Sequence, residues 1–145
     1  MQFSTKTRYS LRALTYLAAK SQGNPIFLKE IAKTEGLPIK YLESLFHTLK
    51  KQGLLISIRG AKGGYILAKK PEDINILDIL EVFDGKFNLV DCNKKNKCQK
   101  INMCSTKNIY TEITEQFKVI LKNYNLKMLT KMYMENKNLN MMYYI

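Results

Sequence analysis

Residues 28–68 read LKEIAKTEGLPIKYLESLFHTLKKQGLLISIRGAKGGYILA, and the punctuation of this stretch decides the fold. Leu28, Ile31 and Ala32 recur at helical spacing, which predicts a short helix over 28–34. Gly36-Leu37-Pro38 then breaks the chain, with a glycine suited to a left-handed turn and a proline suited to a helix start. Over 39–52, Leu42, Leu45, Phe46 and Leu49 share one face, while Lys40, Glu43, Ser44, His47, Lys50 and Lys51 share the other. Gly53 ends this second helix. Residues 54–59 and 65–68 read as short strands around Gly60-Ala61-Lys62-Gly63-Gly64, the spacing of a hairpin with a glycine-rich tip. Two helices joined by a tight glycine turn and followed by such a hairpin make a winged helix-turn-helix.

Working outward, Thr7 can cap a helix over 7–20 in which Tyr9, Ala13, Leu14, Leu17 and Ala18 recur, before Gly23-Asn24-Pro25 interrupts it. Residues 75–83 give another helix, with Ile76, Ile79, Leu80 and Phe83 inward and Asp84-Gly85 closing it. Periodicity disappears over 91–107, an unusually long interval for a compact domain unless it has a function or is held by something. Ser105 or Thr106 starts a long amphipathic pattern through Ile109, Ile113, Phe117, Ile120, Leu121 and Tyr124. It is longer than a small first-half core covers, so part of its apolar face is expected to pair with a second subunit, giving a homodimer. Asn125 caps a further helix to about residue 136, with Leu126, Leu129 and Met132 on one side, and 139–145 is left unassigned. The expected fold is mainly α with a small β-hairpin wing. Its parts are a winged helix-turn-helix over 1–85, a cysteine-bearing loop over 86–107, and a dimerisation helix with a C-terminal helix over 108–145.

The chain has 145 residues of which 46% are hydrophobic, enough for one main core that folds without a covalent staple. Its 24 Lys+Arg against 12 Asp+Glu leave +12, which points to an anionic partner. The excess is uneven: +10 over residues 1–70 (13 basic, 3 acidic), −4 over 71–90 (1 and 5) and +6 over 91–145 (10 and 4). No apolar run approaches the ~18 residues of a membrane span, and the apolar stretch 11–19 contains Arg12, so it does not read as a signal peptide. The expectation is a cytoplasmic protein with no membrane partner.

Three cysteines, Cys92, Cys98 and Cys104, stand in the pattern C-x5-C-x5-C. An odd number in a chain without an export signal argues against a disulfide framework and for metal or redox chemistry. Thiolates are soft ligands suited to iron–sulfur clusters and zinc, and a bare thiol sensor is the remaining reading. Lys94, Lys95, Lys97, Lys100 and Lys107 surround them, which favours thiolate over thiol and offsets the charge of a ligated cluster.

These residues resemble a known family, the winged-helix iron–sulfur regulators that include IscR, NsrR and RirA. The resemblance is carried by residues 4–18 (STKTRYSLRALTYLA), Tyr41-Leu42-Glu43 with Leu45-Phe46, Arg59-Gly60 with Gly63-Gly64-Tyr65, and the three cysteines, over roughly the first 135 residues. It implies a homodimer, binding to double-stranded operator DNA, and an iron–sulfur cluster, 2Fe–2S or 4Fe–4S, held by Cys92, Cys98 and Cys104. This chain departs from two of the family's patterns for a fourth ligand. IscR-like members have a histidine where Lys107 stands, and NsrR-like members have an aspartate at the position of Arg8. Neither Lys nor Arg can donate there. RirA-like members resemble it in having three cysteines without an obvious fourth protein ligand, so an open iron is the preferred expectation, with Asp91, Asn108 or a second subunit's side chain as alternatives.

In a helix-turn-helix the second helix enters the major groove, and its N-terminal side chains reach base edges. Here that end offers Lys40, Tyr41, Glu43 and Ser44, and the resemblance points to positions 40, 41 and 43. Glu43 is repelled by phosphates yet can accept from cytosine N4, so it suits discrimination rather than affinity. Arg59 and Gly60, with Lys62 at the tip, suit a narrow minor groove, where the resemblance places the arginine. Lys6, Arg8, Arg12, Lys29 and Lys33 are candidate phosphate contacts, and His47 reads as an exposed polar residue. The expected function is a redox, iron or nitric oxide sensing transcription regulator, with a cluster-free thiol-based regulator as the alternative. An enzyme, such as a thiol oxidoreductase, is disfavoured, since the chain has one histidine and no C-x-x-C pair. A basic structural DNA protein without a sensing role is the third class; it predicts sequence-independent binding.

Overall fold

The computed structural model describes residues 3–91 and 98–143. The first helix, α1 (Thr5–Ser21), is the pillar of the domain: Ala13, Leu14 and Leu17 are fully buried. Its cap is Ser4, whose Oγ accepts from the Thr7 N–H at 3.2 Å, and not Thr7 as the sequence suggested. Thr7 instead lies buried in the first turn, where its hydroxyl donates to Asp84 Oδ2 at 2.7 Å, a partner 77 residues away.

The decisive stretch folds as read. α2 (Leu28–Glu35) ends at Gly36 in the left-handed region, and α3 (Ile39–Lys51) starts after Pro38, which serves as the extended capping residue. β1 (Leu55–Ile58) pairs antiparallel with β2 (Gly64–Leu67) in the register Leu55 to Leu67 and Ile58 to Gly64. The linker before α2 adds a rung to this wing: Ile26 and Tyr65 exchange two backbone hydrogen bonds of 3.0 and 2.9 Å. That closeness requires glycine at position 64, where φ is +137° and a Cβ would stand 2.4 Å from the Ile26 carbonyl oxygen. Phe46 of α3, fully buried, meets Tyr65 of β2 edge-on at 5.0 Å and seals wing to helix.

α4 (Ile76–Asp84) opens with a capping box in which the Asn75 side chain accepts from Asp78 N–H and the Asp78 carboxylate accepts from Asn75 N–H. Leu77, absent from the expected inward set, turns with Leu80 toward Phe87 and forms a small second cluster. α5 (Lys107–Asn123) lies on this cluster through Leu121 and through Phe117, whose ring is 6.2 Å from that of Phe87. The Thr114 hydroxyl, buried, accepts from Leu89 N–H at 3.4 Å. The outer side of α5 stays uncovered: Ile109, Ile113 and Ile120 are 40–54% exposed.

α6 (Leu126–Tyr143) runs past residue 136 and takes in most of the unassigned tail, since no proline or glycine interrupts it. Asn125 caps it, accepting from Met128 N–H at 3.0 Å. Its first half belongs to the main core: Leu126 is buried there, Leu129 and Tyr133 pack against it, and Tyr133 meets Tyr16 edge-on. Backbone bonds from Ile76 to Tyr124 and from Leu126 to Ile74, both 2.9 Å, fasten the α5–α6 joint to the start of α4. Among the described residues no helix is long and apolar enough to cross a membrane.

Candidate nucleic-acid interface

The apolar face of α3, Leu42, Leu45, Phe46 and Leu49, is buried, which turns Lys40, Glu43, Ser44 and His47 into solvent. Tyr41 is half-buried, with its ring edge-on to Tyr9 of α1 at 5.9 Å. Arg59, Gly60 and Lys62 are exposed at the tip of the wing, closed by a 2.9 Å bond from Gly63 N–H to the Gly60 carbonyl. Helix and wing adjoin. The Lys50 ammonium at the end of α3 donates to the Ser57 hydroxyl on β1. A groove of about 840 Å³ runs between them, with Ile39 and Glu43 on one wall, Ser57, Ile58 and Tyr65 on another, and the start of α2 at its end. Its lining is largely apolar, with Glu30, Glu43 and Lys29 as its charged members, while Arg59 and Lys62 are exposed farther out on the wing.

Of the candidate phosphate contacts, Arg8 is engaged locally, donating to Thr5 Oγ1 at 3.3 Å. Arg12 is engaged more strongly, by Glu35 of α2 and by the Tyr9 ring. Sequence reasoning missed this use of Arg12 because its partner lies 23 residues on, beyond the reach of any helical spacing.

On the cysteine segment, Cys98 is half-buried and Cys104 exposed, while Cys92, with Lys94, Lys95 and Lys97, falls outside the described residues. Among the described residues no group of three or more His, Cys, Asp or Glu side chains comes together. Cys104 sits just before α5, its Sγ 3.3 Å from Thr106 Oγ1. Hydrogen bonds from the Thr106 hydroxyl and backbone, then from the Lys107 N–H and its charge, hold this thiol below its ordinary value. Thr106 was read only as a helix start; a hydroxyl two residues after a cysteine was the signal for its second role. Lys107, the first residue of α5, is half-buried, and His47 is exposed on α3.

A model of the Rrf2 family, described as iron-dependent transcriptional regulators, matches residues 3–132. The HTH-type transcriptional regulator IscR of Yersinia pseudotuberculosis is 33% identical over 126 residues, 87% of this chain and 77% of that protein. Among solved structures, CymR (YrzC), the global cysteine regulator of B. subtilis, superposes with a TM-score of 0.74 at 34% identity, covering 90% of this chain and 97% of that one. T. potens IscR gives 0.71 at 34% identity, covering 90% and 87%. The oxidized form of Staphylococcus aureus CymR gives 0.68 at 33%, covering 90% and 96%. The Yersinia relative is named as a transcriptional regulator and B. subtilis CymR as a cysteine regulator, and the three solved structures share the fold of this chain. The chain belongs to the Rrf2 family of winged-helix transcriptional regulators.

Proposed function

We propose that the protein is a cytoplasmic homodimer that reads operator DNA and responds to redox, iron or nitric oxide status through an iron–sulfur cluster on Cys92, Cys98 and Cys104. The observation that carries the DNA-reading half is the groove that α3 and the wing share, lined by Glu43 and Ser57, with Lys40, Glu43 and Ser44 exposed on the helix and Arg59 and Lys62 exposed on the wing. Lys40, Tyr41, Glu43 and Ser44 reach base edges in the major groove; Arg59, Gly60 and Lys62 enter the minor groove.

The donor set fits a cluster. Cys104 is exposed and biased toward thiolate by the amide and hydroxyl groups at the start of α5, the protonation state that soft-metal ligation requires. When bound, such a cluster supplies electron transfer and an iron open to small ligands. The chain's own parts supply the coupling. Residues 86–107 run directly into α5, whose uncovered Ile109, Ile113 and Ile120 form the contact with a second copy. Residues 108–145 are fastened to the reading head over 1–85 through α4 and through the seat of α6 on α1. A change in how the cysteine segment is held therefore alters the spacing of two reading heads, provided the two arrangements differ in stability with the cysteines ligated.

The same exposed, activated thiol favours a second reading, a cluster-free thiol regulator, and the likeness to CymR in an oxidized form supports it. Anaerobic purification with visible absorption and iron and sulfide counts separates the two, repeated for Cys92→Ala, Cys98→Ala and Cys104→Ala. The cluster reading predicts coloured, iron-containing wild type and colourless variants. Colourless, iron-free wild type supports the thiol regulator instead.

A further inference from the structure

We propose that Arg12 is a positioning residue for the reading helix rather than a phosphate contact. Its guanidinium is committed on two sides. Nε lies 3.4 Å from Glu35 Oε2, and Nη2 donates to the Glu35 main-chain carbonyl. Glu35 is the last residue of α2, immediately before the Gly36-Leu37-Pro38 turn into α3, and its side chain is only 11% exposed. The planar fork thus clamps α1 to the end of α2, a geometry that lysine's point charge does not reproduce. The same guanidinium carbon stands 5.8 Å from the centroid of the Tyr9 ring. Tyr9 in turn meets Tyr41 edge-on, at 5.9 Å and 84°. Tyr41 lies in the first turn of α3, between Lys40 and Glu43.

One side chain therefore fixes both the turn that delivers α3 and the ring that sets its roll. Roll matters because a helix with side chains is about 10–12 Å across, so a rotation of about 10° swings a side-chain tip by about 1 Å. That displacement spoils hydrogen bonds to base edges while leaving long-range attraction to phosphates intact. Loss of Arg12 should lower discrimination between sequences without changing the number of phosphates neutralised.

The inference rests on the assignment of α3 as the reading helix, and the experiment keeps the two apart. The probes are a duplex selected from a random-sequence library by the wild-type dimer and a scrambled duplex of the same composition. Binding of both is followed from 50 to 200 mM salt for wild type, Arg12→Gln, Arg12→Lys, Glu35→Gln and Glu43→Ala. Both Arg12 variants are expected to lose about 10-fold in the selected-to-scrambled ratio, within the range of one mismatched base pair, with an unchanged salt slope, and Glu35→Gln, which keeps an acceptor for each guanidinium N–H, is expected to lose less. A phosphate contact would instead cut the slope by about 0.9 for each phosphate lost in Arg12→Gln and be restored by Arg12→Lys, which overturns the proposal. An unchanged ratio in the Arg12 variants alongside a lowered ratio in Glu43→Ala overturns it too, while leaving α3 as the reader. An unchanged ratio in Glu43→Ala as well removes the assignment of α3 itself. Should Arg12→Gln fail to fold, Arg12→Lys carries the same prediction with the positive charge kept, and an undiminished ratio there counts against it.

Discussion

The reading head and the stretch leading into α5 are held in different ways. From α1 to the wing, turns and strands rest on buried groups: Phe46 under Tyr65, Leu42 and Leu49 fully enclosed, and Ile26 paired with the wing backbone. Between Cys98 and Lys107 the bonds among the described residues are local. Met103 is 89% exposed, and Cys104 is bonded through sulfur to a residue two positions on. Burial stabilises the first region whatever is bound, whereas on the proposed cluster reading the second would gain order from ligation, since ligation free energy becomes folding free energy. The proposed sensor would use this division, the reading part keeping its shape while the responding part changes.

The sharpest way to break the comparison is to empty the core of the reading head. Phe46→Ala removes a fully buried ring and should cost about 3–5 kcal/mol, a large share of a typical domain's stability. Urea unfolding measures it, and a loss below about 1 kcal/mol would mean that burial does not hold this half. Gly64→Ala comes next, at about 1–3 kcal/mol, because the new Cβ meets the Ile26 carbonyl at a backbone angle that L-residues avoid. Its thermal midpoint should fall, and DNA binding should weaken with it as the wing shifts.

Asp84→Asn tests how the head is pinned to α4. Burial works against the charge of Asp84, but hydrogen bonds from Ser4 and Thr7 and the charge of Lys6 outweigh it and hold the carboxyl below its ordinary 3.8. A depressed carboxylate contributes stability that is present above the unfolded value and lost as pH falls through the folded one. Wild type should therefore lose stability in the window below pH 3.8, where the variant's curve is flatter, and at neutral pH the variant should be weaker by about 0.5–1 kcal/mol, because solvent screens the exposed carboxylate. Equal acid unfolding profiles would remove this role. The smallest effect is expected from Cys104→Ser in the metal-free protein, within about 0.5 kcal/mol of wild type, since the side chain is exposed.

Local signals made the head legible from the sequence. Gly36 and Pro38 bracket the turn, four apolar residues mark the inner face of α3, and glycines 60, 63 and 64 mark the wing. What escaped was long-range. Thr7 looked like a cap because nothing nearby revealed Asp84, Arg12 looked like a phosphate contact because nothing nearby revealed Glu35, and Leu77 was left out of the inward set because the Phe87 cluster comes from beyond the helix. The reach of α6 was missed because its apolar periodicity is weak along its length, although no glycine or proline stops it. For the site, residue chemistry named the cysteines and the α3 end, but the bond that activates Cys104 required the backbone to turn Thr106 toward it.

Operator affinity of the anaerobic wild type against Cys104→Ala, measured over one salt titration on one selected duplex, tests the link between the two regions most directly. The account predicts parallel lines, with equal salt slopes because the same phosphates are met and different affinities because the cysteines set the spacing of the two heads. Superimposed lines, from a wild type shown to carry iron and a variant shown to lack it, would contradict it.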